Sequence, residues 1–322
     1  MSHPHPSPFA DAGEPHADPP SRAPAEAQPH LPGCESFSLT ANEIESYDER
    51  IEFWDGLSGT AWRVRDVSSW HEQPGQRLAM LAARMASVRG APIECFGSTS
   101  LARLDAAGRP RQILQADNAV YLHPAQWKTR GRVRVDDGPL PDVVLEVDHT
   151  TDVRRWKLGK YQSWGFPEIW VLVPSKRSRR APGLAIHARG PGGGYRQAPE
   201  STAFPGWTEG EVYRALTEEP LSAASWQALE RVGRVLGKRD GTTPEDDPLT
   251  RSLQARGEAR SAAKASADAV AAALRARGIA VPADVAADPD LLCGCSVDIA
   301  MAVALTCSDA ADFRRRIRRA AG

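Results

Sequence analysis

The sequence predicts an α/β protein, a mixed central sheet flanked by helices, with a helical segment at its C-terminal end. Three observations lead there. Pro141-Asp142-Val143-Val144-Leu145-Glu146-Val147-Asp148 is an apolar run of strand length punctuated by acids, and Glu168–Val173 is almost wholly apolar and ended by Pro174. Gln76 to Val88 sets Leu78, Leu81, Met85 and Val88 at helical spacing. Arg251 to Arg277 is rich in alanine and charge, a strong helix by propensity.

At 322 residues the chain has room for one or two domains. Residues 1–33 hold nine prolines and four histidines with almost no large apolar side chains, so they cannot bury enough surface to fold. Residues 1–35 are therefore expected to be a disordered tail, and His3, His5, His16 and His30 an accident of low complexity. Thr40 is placed to cap a short helix ending near Tyr47. Arg50-Ile51-Glu52-Phe53-Trp54 before Asp55-Gly56 reads as strand and turn. After the Gln76–Val88 helix, strands are expected at Pro92–Phe96, Ser100–Leu104 and Asn118–Leu122, with Gly108 in a turn. The Asp142 strand, a helix near Asp152–Trp164 and the Glu168 strand follow. Leu184–Ala188 and Gly194–Gln197 extend an edge, joined through the flexible Gly190–Gly194 loop, which lacks the lysine and helix of a phosphate cradle. Residues 209–238 read as helical, closing a folded region over 36–238. Residues 239–250 read as a linker and 251–322 as the helical segment, with a basic end at Arg314–Arg319.

The net charge of −1 gives no overall footprint for nucleic acid, but residues 150–180 carry eight Lys and Arg against Asp152 and Glu168. That stretch reads equally as a phosphate-holding patch or a solvated face. Cys34, Cys95, Cys293, Cys295 and Cys307 lack zinc-site spacing and predict free thiols in a reducing cytoplasm. No signal core and no apolar run of membrane-spanning length is present.

Alternation along the Asp142 strand points Val143, Leu145 and Val147 one way, and Asp142, Val144, Glu146 and Asp148 the other. An acid on such a face needs a cation or water. Residues four apart on a strand stand about 13 Å apart, so Asp142 and Glu146 cannot share one ion. Asp117 can, if its strand pairs antiparallel with this one and brings its start beside Glu146. Two carboxylates suit a hard cation such as Mg²⁺, with Mn²⁺ as a substitute. Val153, Tyr161 and Trp164 mark the apolar stripe of the next helix, and Lys157 and Lys160 both fall within it. Either lysine could reach the acids. His149 and Asp148 read as turn and cap residues first and as site residues second. The same holds for Glu72 beside His71. Trp164, Trp170 and Trp207 read as core, and Cys95 has no partner histidine.

These segments together resemble the Uma-two family of restriction endonucleases, within the PD-(D/E)XK nuclease superfamily. Arg50–Gly56 is similar to the family's opening motif. Phe96-Gly97-Ser98 through Asp117-Asn118-Ala119-Val120 is similar to its hairpin, and Pro141–Val147 to its P-D-l-v-v-E-V. Lys157, Tyr161 and Gly165–Val171 are similar to K-x-x-x-Y-x-x-x-G-V-P-E-Y-W-l, and Phe204-Pro205-Gly206-Trp207 to the closing motif, over roughly residues 37–217. The resemblance implies a restriction-endonuclease-like core and a Mg²⁺-dependent DNA endonuclease. It implies that Asp117 and Glu146 hold the metal, and it selects Lys157 over Lys160 as the catalytic lysine. DNA is then the partner, with no membrane, and a homodimer is allowed. Two positions depart from the pattern: Ala116 stands for a proline, and Asp148-His149-Thr150-Thr151 for S-P-S. Two other classes stay open, a nuclease-fold module that binds DNA or a partner without catalysis, and a protein acting through its C-terminal helices.

Overall fold

The computed structural model describes residues 31, 33–64, 69–124, 131–148, 152–174, 180–282 and 296–321. Among these, ten strands build one mixed sheet. At one end β1 (Cys34–Ser38), β2 (Phe53–Asp55) and β3 (Thr60–Val64) pair antiparallel in the order β1-β3-β2. The centre is a long hairpin of β4 (Glu94–Leu104) and β5 (Pro110–Tyr121). A short β6 (Val133–Arg134) runs parallel to β4. β7 (Val143–Val147) lies antiparallel on β5. It is followed by α2 (Lys157–Ser163) and by β8 (Glu168–Val173), which is parallel to β7. β9 (Gly183–Arg189) and β10 (Tyr195–Ala198) complete the far edge around the expected glycine hairpin.

Helix α1 (Ser69–Arg89) begins earlier than its apolar spacing indicates and carries Pro74 near its start. With α3 (Glu209–Thr217) and α4 (Ala223–Asp240) it covers one face of the sheet. Leu78, Leu81 and Met85 pack there with Val212, Leu229, Val232 and Leu236 against Val143, Leu145 and Val147. The opposite face holds Val144, Ile169 and Val171 under Tyr161, Trp164 and Phe166. The alternation along β7 thus serves two cores, one on each side. Trp170, Phe204 and Trp207 form an aromatic cluster in the first core, and Trp170 and Trp207 are fully buried, as expected.

Several boundaries differ. The strands expected at 92–96 and 100–104 are one strand: the pairing with β5 is missing only at Ser98, whose φ is a left-handed 49°, and resumes in the same register at Thr99. β1 and β3 escape sequence reading, since their short, mixed-polarity sequences carry little alternation. The first of them begins at Cys34, inside the stretch expected to be tail; residues 1–30 lie outside the described residues, as do Cys293 and Cys295. Thr40 precedes a 3-10 turn, Ile44–Ser46, rather than an α-helix, and it does not cap that turn: Glu43 stands at the cap position, and the Thr40 hydroxyl accepts the Glu43 N–H at 3.3 Å. The stretch expected to be a linker makes specific contacts: Gly241 caps α4 at φ 71°, and Thr242 donates to the Gly237 carbonyl at 2.9 Å by its backbone and to the Arg89 carbonyl at 2.6 Å by its hydroxyl. Beyond it, α5 (Pro248–Ala276), α6 (Val297–Thr306) and α7 (Ala310–Ala321) share a core of Val270, Leu274, Val303, Phe313 and Ile317. Among the described residues no helix is long and apolar enough to cross a membrane.

Candidate active site

β5 has β4 along one edge and two short strands, end to end, along the other. Residues 112–114 pair with β2 and residues 118–120 with β7. The ladder is interrupted between them, at Gln115–Asp117, and side chains converge on the gap. Continuing the β7 register sets Asp117 opposite Glu146, as the antiparallel pairing requires. Gln115 donates its N–H to the Glu52 carbonyl at 3.1 Å, so Glu52 enters the gap from the start of β2.

Three carboxylates and a lysine meet there. Lys157 Nζ, on the first turn of α2, donates to Glu52 Oε2 and Glu146 Oε2, each at 2.7 Å. Tyr161, one turn on, donates its hydroxyl to Glu146 Oε1. Asp117 Oδ2 accepts the Val147 N–H at 2.7 Å, which ties the acid to the end of β7. Asp117 Oδ1 accepts from Arg50 Nη2 at 2.5 Å and lies 2.9 Å from His71 Nε2 on α1. Arg50 also donates to Glu72 at 2.7 Å. The side chains of Lys157, Glu52, Glu146 and Asp117 are all 8% exposed or less.

Burial sets the electrostatics. It pushes the Glu146 carboxyl well above the usual range; Lys157 pulls it back, while Asp117 and Glu52 add to the rise. Burial also works against the Lys157 ammonium, but Glu146 and Glu52 overcome it and keep the lysine charged. Of the two, the ammonium is the firmer charge, because it has two carboxylates at contact while Glu146 shares its one cation with Glu52. Burial opposes ionisation of Asp117 too, yet the hydrogen bond and charge of His71, with Lys157 and Arg50, hold it below its ordinary value. His71 is raised in turn: burial disfavours its charge, and the Asp117 hydrogen bond outweighs that.

The structure therefore brings Asp117, Glu146 and Lys157 together. Lys160 turns away, its ammonium 5.6 Å from the Trp156 ring centre. Asp148 is fully buried but serves the chain, accepting the Val153 N–H at 3.0 Å and pairing with Arg180. Asp142 accepts the Leu122 N–H at 2.7 Å and also stands apart from the gap. Glu72 is 44% exposed and meets Arg50 rather than the acids. His149 lies outside the described residues. Three members of the basic stretch at 150–180 have acid partners within the fold. Lys157 is buried, Arg154 pairs with Asp152 at 3.0 Å, and Arg180 pairs with Asp148 and Asp152. Lys176, Arg177 and Arg179 are outside the described residues.

Glu52, Arg50, His71 and Tyr161 join the site only through the fold. Glu52 carries the same sequence signal as Glu146, an acid inside an apolar strand run, Ile51-Glu52-Phe53-Trp54. Arg50 and His71 carry none, because only the tertiary structure sets them against Asp117.

A cavity of about 180 Å³ opens beside Asp117, lined by Arg50, His71, Gly75, Gly97, Ser98 and Asn118. It meets a wider groove of about 620 Å³ at Ser98, between the β4–β5 hairpin and the Glu45–Glu49 turn. Among the described residues Ser98 is the non-glycine residue with left-handed φ, a strained conformation found often at functional sites. By chemistry, two buried carboxylates facing each other across strands fit an oxygen-seeking cation such as Mg²⁺. By occupancy, each oxygen of Asp117 and Glu146 already accepts from a protein donor. Among the described residues no group of three His, Cys, Asp or Glu side chains is arranged to hold a metal. A cation would take the places of Arg50 and Lys157 on these acids.

No family model matches the chain, and no curated protein matches it. A solved structure from Anabaena variabilis, described as "a putative nuclease belonging to DUF820", is similar over 55% of this chain and 99% of that one, at 9% identity and a TM-score of 0.37. So distant a likeness carries no weight for the chemistry here.

Proposed function

We propose that the chain is a metal-dependent DNA endonuclease of the restriction-endonuclease-like type, hydrolysing phosphodiester bonds with Mg²⁺ held by Asp117 and Glu146. One observation carries the reading: the interrupted edge of β5, where two buried acids from facing strands meet a buried lysine and one of the acids, Asp117, lines an open cavity. A bound Mg²⁺ would polarise a phosphate oxygen and lower the pKa of a water. The chain's own residues supply the rest. Lys157, which keeps Glu52 where Mg²⁺ takes its place on Glu146, is a positive charge for the extra negative charge of a pentavalent phosphate. Tyr161 fixes the Glu146 carboxylate, and the Val147 N–H fixes that of Asp117. Arg50 and His71 line the cavity and can meet phosphate oxygens once they leave Asp117.

Cleavage of plasmid and single-stranded DNA across Mg²⁺ and Mn²⁺ tests this, beside Asp117→Asn and Glu146→Gln. Metal-dependent cleavage lost in both variants supports the reading. The same cleavage in wild type and both variants, or none in wild type, overturns it. The second reading, a binding module without catalysis, draws on the saturation of the acids by Arg50, His71 and Lys157. It is favoured if Mg²⁺ has no measurable affinity.

A further inference from the structure

We propose that α7 and the first half of α5 each carry a DNA-phosphate-binding ridge, neither of them lining the cavity beside Asp117. In α7, Phe313 and Ile317 stand one turn apart and are buried in the core shared with α5 and α6. That orientation turns Arg314, Arg315, Arg318 and Arg319 to solvent, with Arg316 partly exposed. Arg314 and Arg318 are four residues apart, as are Arg315 and Arg319, so two like-charge ridges run along the exposed side. Like charges at this spacing destabilise a helix. Asp312 relieves part of the repulsion, pairing with Arg315 at 2.9 Å and Arg316 at 3.8 Å. Arg318 and Arg319 have no acid partner among the described residues.

The same device recurs on α5. Arg256, Arg260 and Lys264 follow one another every four residues, all exposed and without an acid partner among the described residues. They span about 12 Å of helix. Alternating acids and bases would solvate either helix without this repulsion. Two self-repelling basic ridges, in a chain whose net charge is −1, instead match a polyanion. Total charge is not the signal, since residues 251–322 hold eleven Lys and Arg against eight Asp and Glu; the segregation on helix surfaces is. A lipid surface fits less well, because an amphipathic basic helix binds membranes through its apolar side, and here that side is Phe313 and Ile317, already in a core. The choice of DNA as the polyanion rests on the nuclease reading. The ridges would add affinity that depends on salt and not on base sequence.

The test uses the full chain in EDTA, so that cleavage plays no part, with a fluorescent DNA duplex followed by anisotropy over a range of salt. Arg315, Arg318 and Arg319 are changed together to Gln, and in a second variant to Lys. The expected result is at least a tenfold loss of affinity in the Gln variant, with the slope of log Kd against log salt reduced by about 2 to 3, one unit for each arginine–phosphate pair removed. The Lys variant should bind as wild type does, and both should match its melting temperature. Equal affinity and slope in wild type and Gln variant overturn the proposal. So does a wild type that fails to bind duplex, or one that binds phosphatidylserine vesicles in preference to it. Binding that follows the arginines without any cleavage in Mg²⁺ would leave the ridges standing and sink the nuclease reading. Cleavage with arginine-independent binding would do the reverse.

Discussion

Lys157 is the residue on which the buried cluster balances. Its ammonium is the cation that Glu52 and Glu146 share, so Lys157→Ala leaves three buried acids, Asp117 included, facing one another. Breaking such a pair from one side costs about 3 to 5 kcal/mol, and losing a preorganised charge slows reaction about 10²-fold or more. Lys160→Ala should do neither. Urea melts and a cleavage assay on the two variants side by side check this, and matching effects would refute a role for the helix-borne lysine. Glu168, by contrast, is a structural anchor. It takes 2.6 Å bonds from Trp170 Nε1 and Ser201 Oγ and a 2.7 Å bond from the Thr202 N–H. Glu168→Ala should therefore cost stability and leave metal affinity unchanged, as calorimetry and thermal melts would show. Cys95 gives a pH test. Burial raises its thiol from 9.0 to about 12, so the folded chain keeps a proton that the unfolded chain loses. Its stabilising contribution is complete below pH 9 and fades as pH rises toward 12. Alkylation by iodoacetamide at about pH 9, near the ordinary thiol value, should be much slower in native protein than in urea. Equal rates would show the thiol to be open. At this scale the sequence is informative wherever an acid breaks an apolar run, as at Glu146. It is silent where a site contact joins distant segments, as between Arg50 and Asp117.

At the scale of elements, apolar periodicity makes β7, β8 and α1 legible, while edge strands and close helix crossings are not. The α1–α4 crossing shows why. It depends on what is absent at Gly233, where an added Cβ would meet the Val88 Cβ at 2.7 Å and the Met85 carbonyl at 3.1 Å. No period in a single helix reports such an approach. Gly233→Ala should force the helices apart and cost about 1 to 3 kcal/mol, the range of overpacking, despite alanine's better helix propensity. Gly90 is tighter still: its φ is 78°, and an added Cβ would overlap the Thr243 carbonyl outright. Gly90→Ala should therefore exceed Gly233→Ala in denaturant midpoint lost. The opposite order would mean that the 241–247 turn yields easily, as a true linker would. The register that unites Asp117 with Glu146 is legible from alternation plus one assumed pairing. The break in the β5 edge that admits Glu52 is not, since it needs two strands, β2 and β7, to share one side of a third.

For the molecule as a whole, the hydrophobic cores imply parts of unequal strength. Both faces of the sheet are sealed by large side chains such as Trp170, Trp207, Tyr161 and Phe166, all fully buried. The core of α5, α6 and α7 is built mainly from Ala, Val, Leu and Ile around a single phenylalanine, Phe313, and leaves Val297, Ile299 and Leu305 exposed at 46 to 56%. Phenylalanine truncation in a core costs about 3 to 5 kcal/mol, a large share of what so small a cluster can supply. Phe313→Ala should therefore release α6, α7 and the adjoining turns of α5 while the sheet keeps its stability. Amide exchange would show protection lost over residues 263–276 and 297–321 and kept along β5, β7 and β8. Loss of protection along those strands at the same time would mean that the whole chain unfolds as one cooperative unit.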